Sequence, residues 1–277
     1  MCYNKLMNKK SNKGGFTMVE LSLSIVFIAI LSIAIVLLIT NAVSAYHRGL
    51  TLNSINTTGM DIVDDITSAI KNVSTISESE EELKNSSVVR SEKAEVTIGR
   101  GENPETVSVP VYGAFCTGRY SYIWNSGYLF SGDYKVEGVE KAELEYHKVG
   151  EKNDSNTATD FKLLKVRDED RSICKNYAEK EDEKHIFSIA KTEEDPIDIL
   201  ENVEGGLALY DLDSTVASNG KNLFYDVSFI LGTINGGINV QSSGGSCATP
   251  EGFGHNIENF DYCAINEFNF AVQSAGK

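Results

Sequence analysis

From Leu21 to Ile39 the chain reads LSLSIVFIAILSIAIVLLI, nineteen residues of which sixteen are apolar and three are serines. As a helix this run covers about 28 Å at ~1.5 Å per residue, close to the ~30 Å hydrocarbon core of a bilayer. The serines do not spoil it, because a serine in a helix can bond back to the backbone one turn earlier. Lys9, Lys10 and Lys13 hold the start of the chain on the cytoplasmic side, so everything after Asn41 is expected to be exported. An ordinary secretory signal has a shorter apolar run and a small-residue cleavage site behind it, whereas the following TNAVSAYHR continues a helical pattern. The expected topology is a single-pass membrane protein with an exported C-terminal part.

Charge narrows the partners of that part. The 277 residues carry 25 Lys plus Arg against 40 Asp plus Glu, a net −15. Four of the 25 (Lys5, Lys9, Lys10, Lys13) lie before Phe16 with no acid among them, which leaves 21 basic against 40 acidic side chains after Gly15, a net −19. Such a surface repels phosphate backbones, and nucleic acid is not an expected partner. Five cysteines without a CxxC spacing and four scattered histidines give no zinc framework.

The residues just before the apolar run are Lys13-Gly14-Gly15-Phe16-Thr17-Met18-Val19-Glu20-Leu21. An ionised Glu at the mouth of a hydrocarbon span costs at least a few kcal/mol (~2.5 or more), so Glu20 calls for a partner. If the chain is cut after Gly15, Phe16 acquires a free α-amine. In a polymer of such subunits, the Glu20 carboxylate can neutralise the amine of a neighbour and set the axial register while the apolar helices bundle.

This segment resembles the class III signal of type IV prepilins and pseudopilins, G-F-T-x-x-E after a short basic leader and before about twenty apolar residues. The resemblance implies that a membrane prepilin peptidase cuts between Gly15 and Phe16, recognising Gly14 and Gly15, and methylates the Phe16 amine. It also implies that an inner-membrane assembly platform and an assembly ATPase lift the subunit from the membrane into a filament of pilin subunits. An uncleaved anchor is the plain alternative. Many family members break this helix with Pro or Gly, and between Phe16 and Arg48 this chain has neither.

Beyond the span, Leu52, Ile55, Ile62, Ile66, Ala69, Ile70 and Val73 recur at three or four positions, and Asn53, Asp61, Asp64, Asp65 and Lys71 occupy the other face. The spacing predicts one helix from Phe16 to about Ile76, roughly 90 Å long, with Thr57-Thr58-Gly59 as a weak point where it could bend. Its apolar stripe is read as the face on which a β-sheet packs, with a coiled-coil partner as the alternative. The expected organisation is a leader (1–15), a transmembrane and polymerisation helix (16–40), an amphipathic continuation (41–76) and a disulfide-stabilised β-rich head (77–277).

Strand-like runs are expected at 88 to 99, TVSVPVYGAF, RYSYIWN, KAELEYHKV, DFKLLKVRD, GGLALYDLD, LFYDVSFILGT and FDYCAINEFNFAVQ, with short helices near 172 to 180 and 196 to 202. The fold class is α+β, a long N-terminal helix packed on a mainly antiparallel sheet. The acidic stretches at 168 to 170, 180 to 184 and 193 to 198 are read as solvated loops.

Cys2 leaves with the leader. Cys116, Cys174, Cys247 and Cys263 then form an even set in an exported region, where disulfides persist. Three pairings are formally possible; Cys116 with Cys174 and Cys247 with Cys263 is favoured, the second closing a Gly-rich loop onto the last strand. CTGRYSYIWN and YCAINEFNFA are also similar to segments of large pilin-like proteins of Saccharibacteria and related ultra-small bacteria.

The chain lacks GxSxG, HExxH and a Walker loop, and His47, His147, His185 and His255 stand alone, so no enzyme activity and no cofactor are expected. Asp211 and Asp213, with 168 to 170, could offer oxygen ligands to calcium, but the spacing is not an EF-hand loop and no metal is expected. Tyr120, Tyr122, Trp124 and Tyr128 alternate as sheet-packing residues do. The function this implies is a structural subunit of a type IV pilus, a minor or large pilin serving attachment or twitching motility. The alternative is a pseudopilin of a type II secretion or DNA-uptake machine. Removing 15 of the 277 residues would leave a subunit of 262.

Overall fold

The structure is a computed structural model that describes residues 17–72, 90–98, 105–130, 135–137, 145–148, 159–169, 171–174, 188–189, 196–201, 203, 206–219, 222–234, 238–239, 246–247 and 263–274. One helix, α1 (Met18–Lys71), runs for 54 residues. It ends at Lys71 rather than near Ile76, and Val73 lies outside the described residues. Helical structure is unbroken through Thr57-Thr58-Gly59. The chain divides into two compact units, Met1–Tyr46 and His47–Lys277. The second half of α1 therefore belongs with the β-rich head.

The head's strands are β1 (Arg90–Ile98), β2 (Glu105–Cys116), β3 (Tyr120–Asn125), β4 (Lys135–Val136), β5 (Glu145–Lys148), β6 (Thr159–Asp160), β7 (Leu163–Arg167), β8 (Ser188–Ile189), β9 (Ile197–Asp198), β10 (Leu207–Asn219), β11 (Asn222–Thr233), β12 (Ile238–Asn239), β13 (Ser246–Cys247) and β14 (Ile265–Gln273). A six-stranded antiparallel sheet has the order β4-β1-β2-β3-β7-β9, and a three-stranded antiparallel sheet the order β10-β11-β14. Two small sheets, β12-β13 and β6-β5-β8, complete the set, the last with a parallel β5–β8 pair. The fold is thus α+β, with a long helix on antiparallel sheets.

Both large sheets present apolar side chains to the second half of α1. Ile55, Ile62, Ile66 and Ile70 pack with Phe115, Tyr122, Trp124 and Leu163 of the six-stranded sheet and with Leu209, Leu212, Tyr225, Phe229 and Phe268 of the three-stranded one. Of the stripe read from the sequence, Ile55, Ile62, Ile66, Ala69 and Ile70 form the core face, whereas Leu52 is exposed. Gly59 belongs to that face for a steric reason: a Cβ there would run into the Phe268 ring. The supposed weak point is a notch for an aromatic ring.

A bulge explains how β10 serves this core. Its register against β11 shifts between Leu209 and Asp211, and one inserted residue exchanges the two faces of a strand. Leu209 and Leu212 both reach the helix-side core, while Tyr210 joins a second cluster with Val109, Val111, Tyr128 and Ile230. The opposite face of β3 is also covered, Ile123 packing with Phe161, Leu164 and Val166. This is why β3 is buried almost throughout, and why its aromatics Tyr122 and Trp124 sit inside the head.

Candidate functional site

The site the sequence singles out begins at the start of α1. Gly14, Gly15 and Phe16 lie outside the described residues, and Glu20 lies within them. Thr17 is the residue at which the helix opens: its carbonyl accepts the first intrahelical bond, from the Leu21 N–H at 3.1 Å. The Glu20 N–H donates to Thr17 Oγ1 at 3.2 Å, and the Thr17 N–H donates to Glu20 Oε2 at 3.5 Å. This reciprocal pair is a capping box, which satisfies two backbone donors that the first turn leaves without partners. Glu20 therefore has a partner in its own chain, a point the sequence reading missed although T-x-x-E before an apolar run signals it.

Further along, the hydroxyls of Ser22, Ser24, Ser32 and Thr40 donate to the carbonyls of Val19, Glu20, Ile28 and Leu37 at 2.8 to 3.0 Å. The hydroxyls of the apolar run thus all have hydrogen-bond partners within the helix. Every large apolar side chain from Met18 to Val43 is exposed, between 46% and 91%. The helix is long and apolar enough to cross a membrane.

In the head, a polar cluster fastens α1 to the six-stranded sheet. Asp65, counted in sequence with the solvated face, accepts from Lys165 Nζ at 2.6 Å and from the Tyr122 hydroxyl at 2.8 Å. Lys165 also lies 4.4 Å from the centre of the Tyr120 ring. Burial, and then the Asp65 carboxylate, push the Tyr122 hydroxyl far above the ordinary tyrosine range, so it remains a donor at any physiological pH.

Two disulfides, Cys116–Cys174 and Cys247–Cys263, join the pairs favoured above. The first anchors the turn after Asp168 to β2. Asp168 itself is buried, not solvated: its carboxylate accepts from the Ser121 hydroxyl at 2.7 Å, from the Ser172 hydroxyl and N–H, and from the Ile173 N–H. A helical turn at 172–174 follows, and the residues beyond it lie outside the described set. The helix expected at 196 to 202 is instead the two-residue strand β9 and a turn. Asp198 is the reason, since its carboxylate accepts from the N–H groups of Lys162, Leu163 and Leu200 and ties this segment to β7. Acidic residues 180–184 are outside the described residues.

On β10 Asp213 is exposed and Asp211 half-buried, and burial, then the neighbouring Asp213 charge, raise the Asp211 pKa. Asp168 is already engaged as described, and among the described residues no three His, Cys, Asp or Glu side chains converge where a metal ion could sit. A cleft of about 430 Å³ at the β1 bulge is lined by Glu92, Lys93, Glu95, Tyr112 and Glu137, without a histidine or cysteine. Of the alternating aromatics, Tyr122, Trp124 and Tyr128 are buried and Tyr120 half-buried, so they pack the head.

Compared with known protein families, curated proteins and solved structures, the chain matches none.

Proposed function

We propose that this chain is a pilin-like structural subunit of a type IV pilus, held in the membrane by its first helical half and polymerised through it after removal of the leader at Gly15. The observation that carries this reading is the coincidence of GGFTMVEL with a helix start followed by 26 residues, Met18 to Val43, whose large apolar side chains are all outward. A soluble protein has no use for such a surface, since contiguous exposed apolar area marks contact with lipid or with another chain. In the membrane the occupant is lipid. In a filament it is the same segment of other subunits, to which the head adds bulk and surface. Two disulfides fit a head that matures in an oxidising compartment. The assembly partners are a prepilin peptidase, an inner-membrane platform and other pilin subunits.

The test is Glu20→Val expressed in a strain without the native gene. The variant is expected to insert, to be cut after Gly15 and to fold its head as wild type does, while the sheared-filament fraction falls at least tenfold against the membrane fraction by immunoblot, about the consequence of losing ~1.4 kcal/mol or more of subunit pairing. Wild-type recovery in filaments would remove Glu20 as the registering group and favour a plain anchor.

A further inference from the structure

Long sheet edges invite pairing with further strands, and folded proteins blunt them with short edge strands, bulges, charges or cover. Three edges of the two large sheets are blunted in this way. The six-stranded sheet ends on β4 and β9, two residues each. The β10 edge of the three-stranded sheet carries the bulge, Asp211 and Asp213, and a bridge from Leu209 to Ser126. The fourth edge, β14, runs for nine residues, INEFNFAVQ, without Pro, Lys or Arg and in unbroken register with β11, and no strand pairs with its far side among the described residues. At the two ends of that ladder the Thr233 N–H donates to the Ala264 carbonyl at 3.0 Å and the Ser274 N–H to the Leu223 carbonyl at 2.9 Å. Backbone bonding alternates along an antiparallel strand, so the even-numbered residues of β14 bond to β11, and the N–H and C=O groups of Ile265, Glu267, Asn269, Ala271 and Gln273 point to the open edge. Of these, the Glu267 N–H donates to Asn266 Oδ1 at 3.0 Å.

We propose that β14 pairs with β14 of a second copy, antiparallel about a two-fold axis at Asn269, joining the three-stranded sheets of two heads into one continuous sheet. The strand is self-complementary in that register. Ile265 stands opposite Gln273, Glu267 opposite Ala271, Phe268 opposite Phe270 and Asn269 opposite itself, so no like charges meet and a cross-strand aromatic pair forms twice. Because odd positions pair with odd, each sheet face continues across the junction, Phe268, Phe270 and Val272 on the core side and Glu267, Asn269 and Ala271 on the exposed side. Phe270, partly buried at the margin of the core, gains cover. Asn269, whose amide donates to Glu267 Oε1 at 3.1 Å, keeps its amide oxygen for its counterpart. The contact is isologous, unlike the heterologous repeat of a filament, so it goes beyond the proposed function: it joins the heads of neighbouring subunits in the membrane or of adjacent filaments.

The experiment is sedimentation equilibrium of the full chain in detergent, with thermal unfolding to check the head. Wild type is expected to form a dimer whose fraction rises with concentration. Ala271→Pro deletes an edge-facing N–H without touching a bond to β11, at a position where edge strands accept Pro. The two-fold axis doubles that loss, so dimerisation is expected to weaken about tenfold or more. Asn269→Glu sets carboxylates face to face beside both Glu267 side chains and is expected to weaken it several-fold, less so in high salt. A monomer at every concentration, or wild-type dimerisation in variants whose unfolding is unchanged, would overturn the proposal, the second result by placing the contact outside the strand. If Ala271→Pro lowers head stability, Asn269→Glu decides. On mild oxidation, Asn269→Cys is expected to yield a disulfide-linked dimer and Gln273→Cys to stay monomeric under denaturing conditions; the converse would overturn the axis at Asn269.

Discussion

The two halves of α1 are built from the same apolar residue types and put them to opposite use. From Met18 to Val43 the apolar side chains surround the helix and all are exposed; between Ile55 and Ile70 they form one stripe and are buried against two sheets. The difference lies in periodicity. An all-round apolar surface can be covered only by lipid or by other helices, whereas a stripe at three- and four-residue spacing needs a single partner face. The polar residues follow suit. In the first half, Ser22, Ser24, Ser32 and Thr40 bond inward to their own backbone, and in the second, Asp65 reaches out to Lys165 and Tyr122. The chain thereby separates the part of the helix that is packed into the head from the part whose apolar side chains are exposed.

The comparison breaks most sharply with one substitution in each half. Ile66→Ala removes a fully buried side chain and is expected to lower head stability by about 2–5 kcal/mol. Ile33→Ala, in the exposed half, is expected to leave the thermal unfolding of the head unchanged in detergent. Equal effects would show that the halves are not energetically distinct. Next in size is reduction of the disulfides. The Cys116–Cys174 bond closes a span of 58 residues, so Cys116→Ser with Cys174→Ser should cost roughly 4 kcal/mol in the chain-entropy view, read as a lowered denaturant midpoint.

Gly59→Ala sharpens the stripe itself. The new methyl meets the Phe268 ring, which stacks on Phe229 with centroids 5.0 Å apart. The ring has to shift, and a loss of about 1–3 kcal/mol is expected despite alanine's better helix propensity. A gain in stability would mean that the notch is not packed. Smallest is Asp65→Asn, which keeps an acceptor for Tyr122 and loses the charge opposite Lys165. The pair is partly exposed, with side-chain exposures of 20% and 32%, so solvent screening limits the expected cost to about 1 kcal/mol or less, diminishing in high salt.

Local pattern made much of this legible. The stripe, the long strands and the α+β class follow from periods of 3.6 and 2, and the oxidised cysteine pairs from an even count once Cys2 is set aside. The misreadings share a cause, because each residue concerned acts through a partner distant in sequence. Asp198 resembles part of a solvated acidic run until the backbone of Lys162 and Leu163 comes beside it. Asp168 does so until Ser121 does. Gly59 resembles a helix breaker until the Phe268 ring lies over it, and the β10 bulge has no local mark. Thr17 is the exception, a purely local signal overshadowed by the demand for a partner outside the chain.

The most direct test of the polymerisation reading is the intact mass of this protein in filaments sheared from the cell surface. The expected species is a 262-residue chain beginning at Phe16, with both disulfides closed and a methylated amine. A 277-residue chain retaining its Lys-rich start, found in the membrane and missing from the filaments, would contradict it.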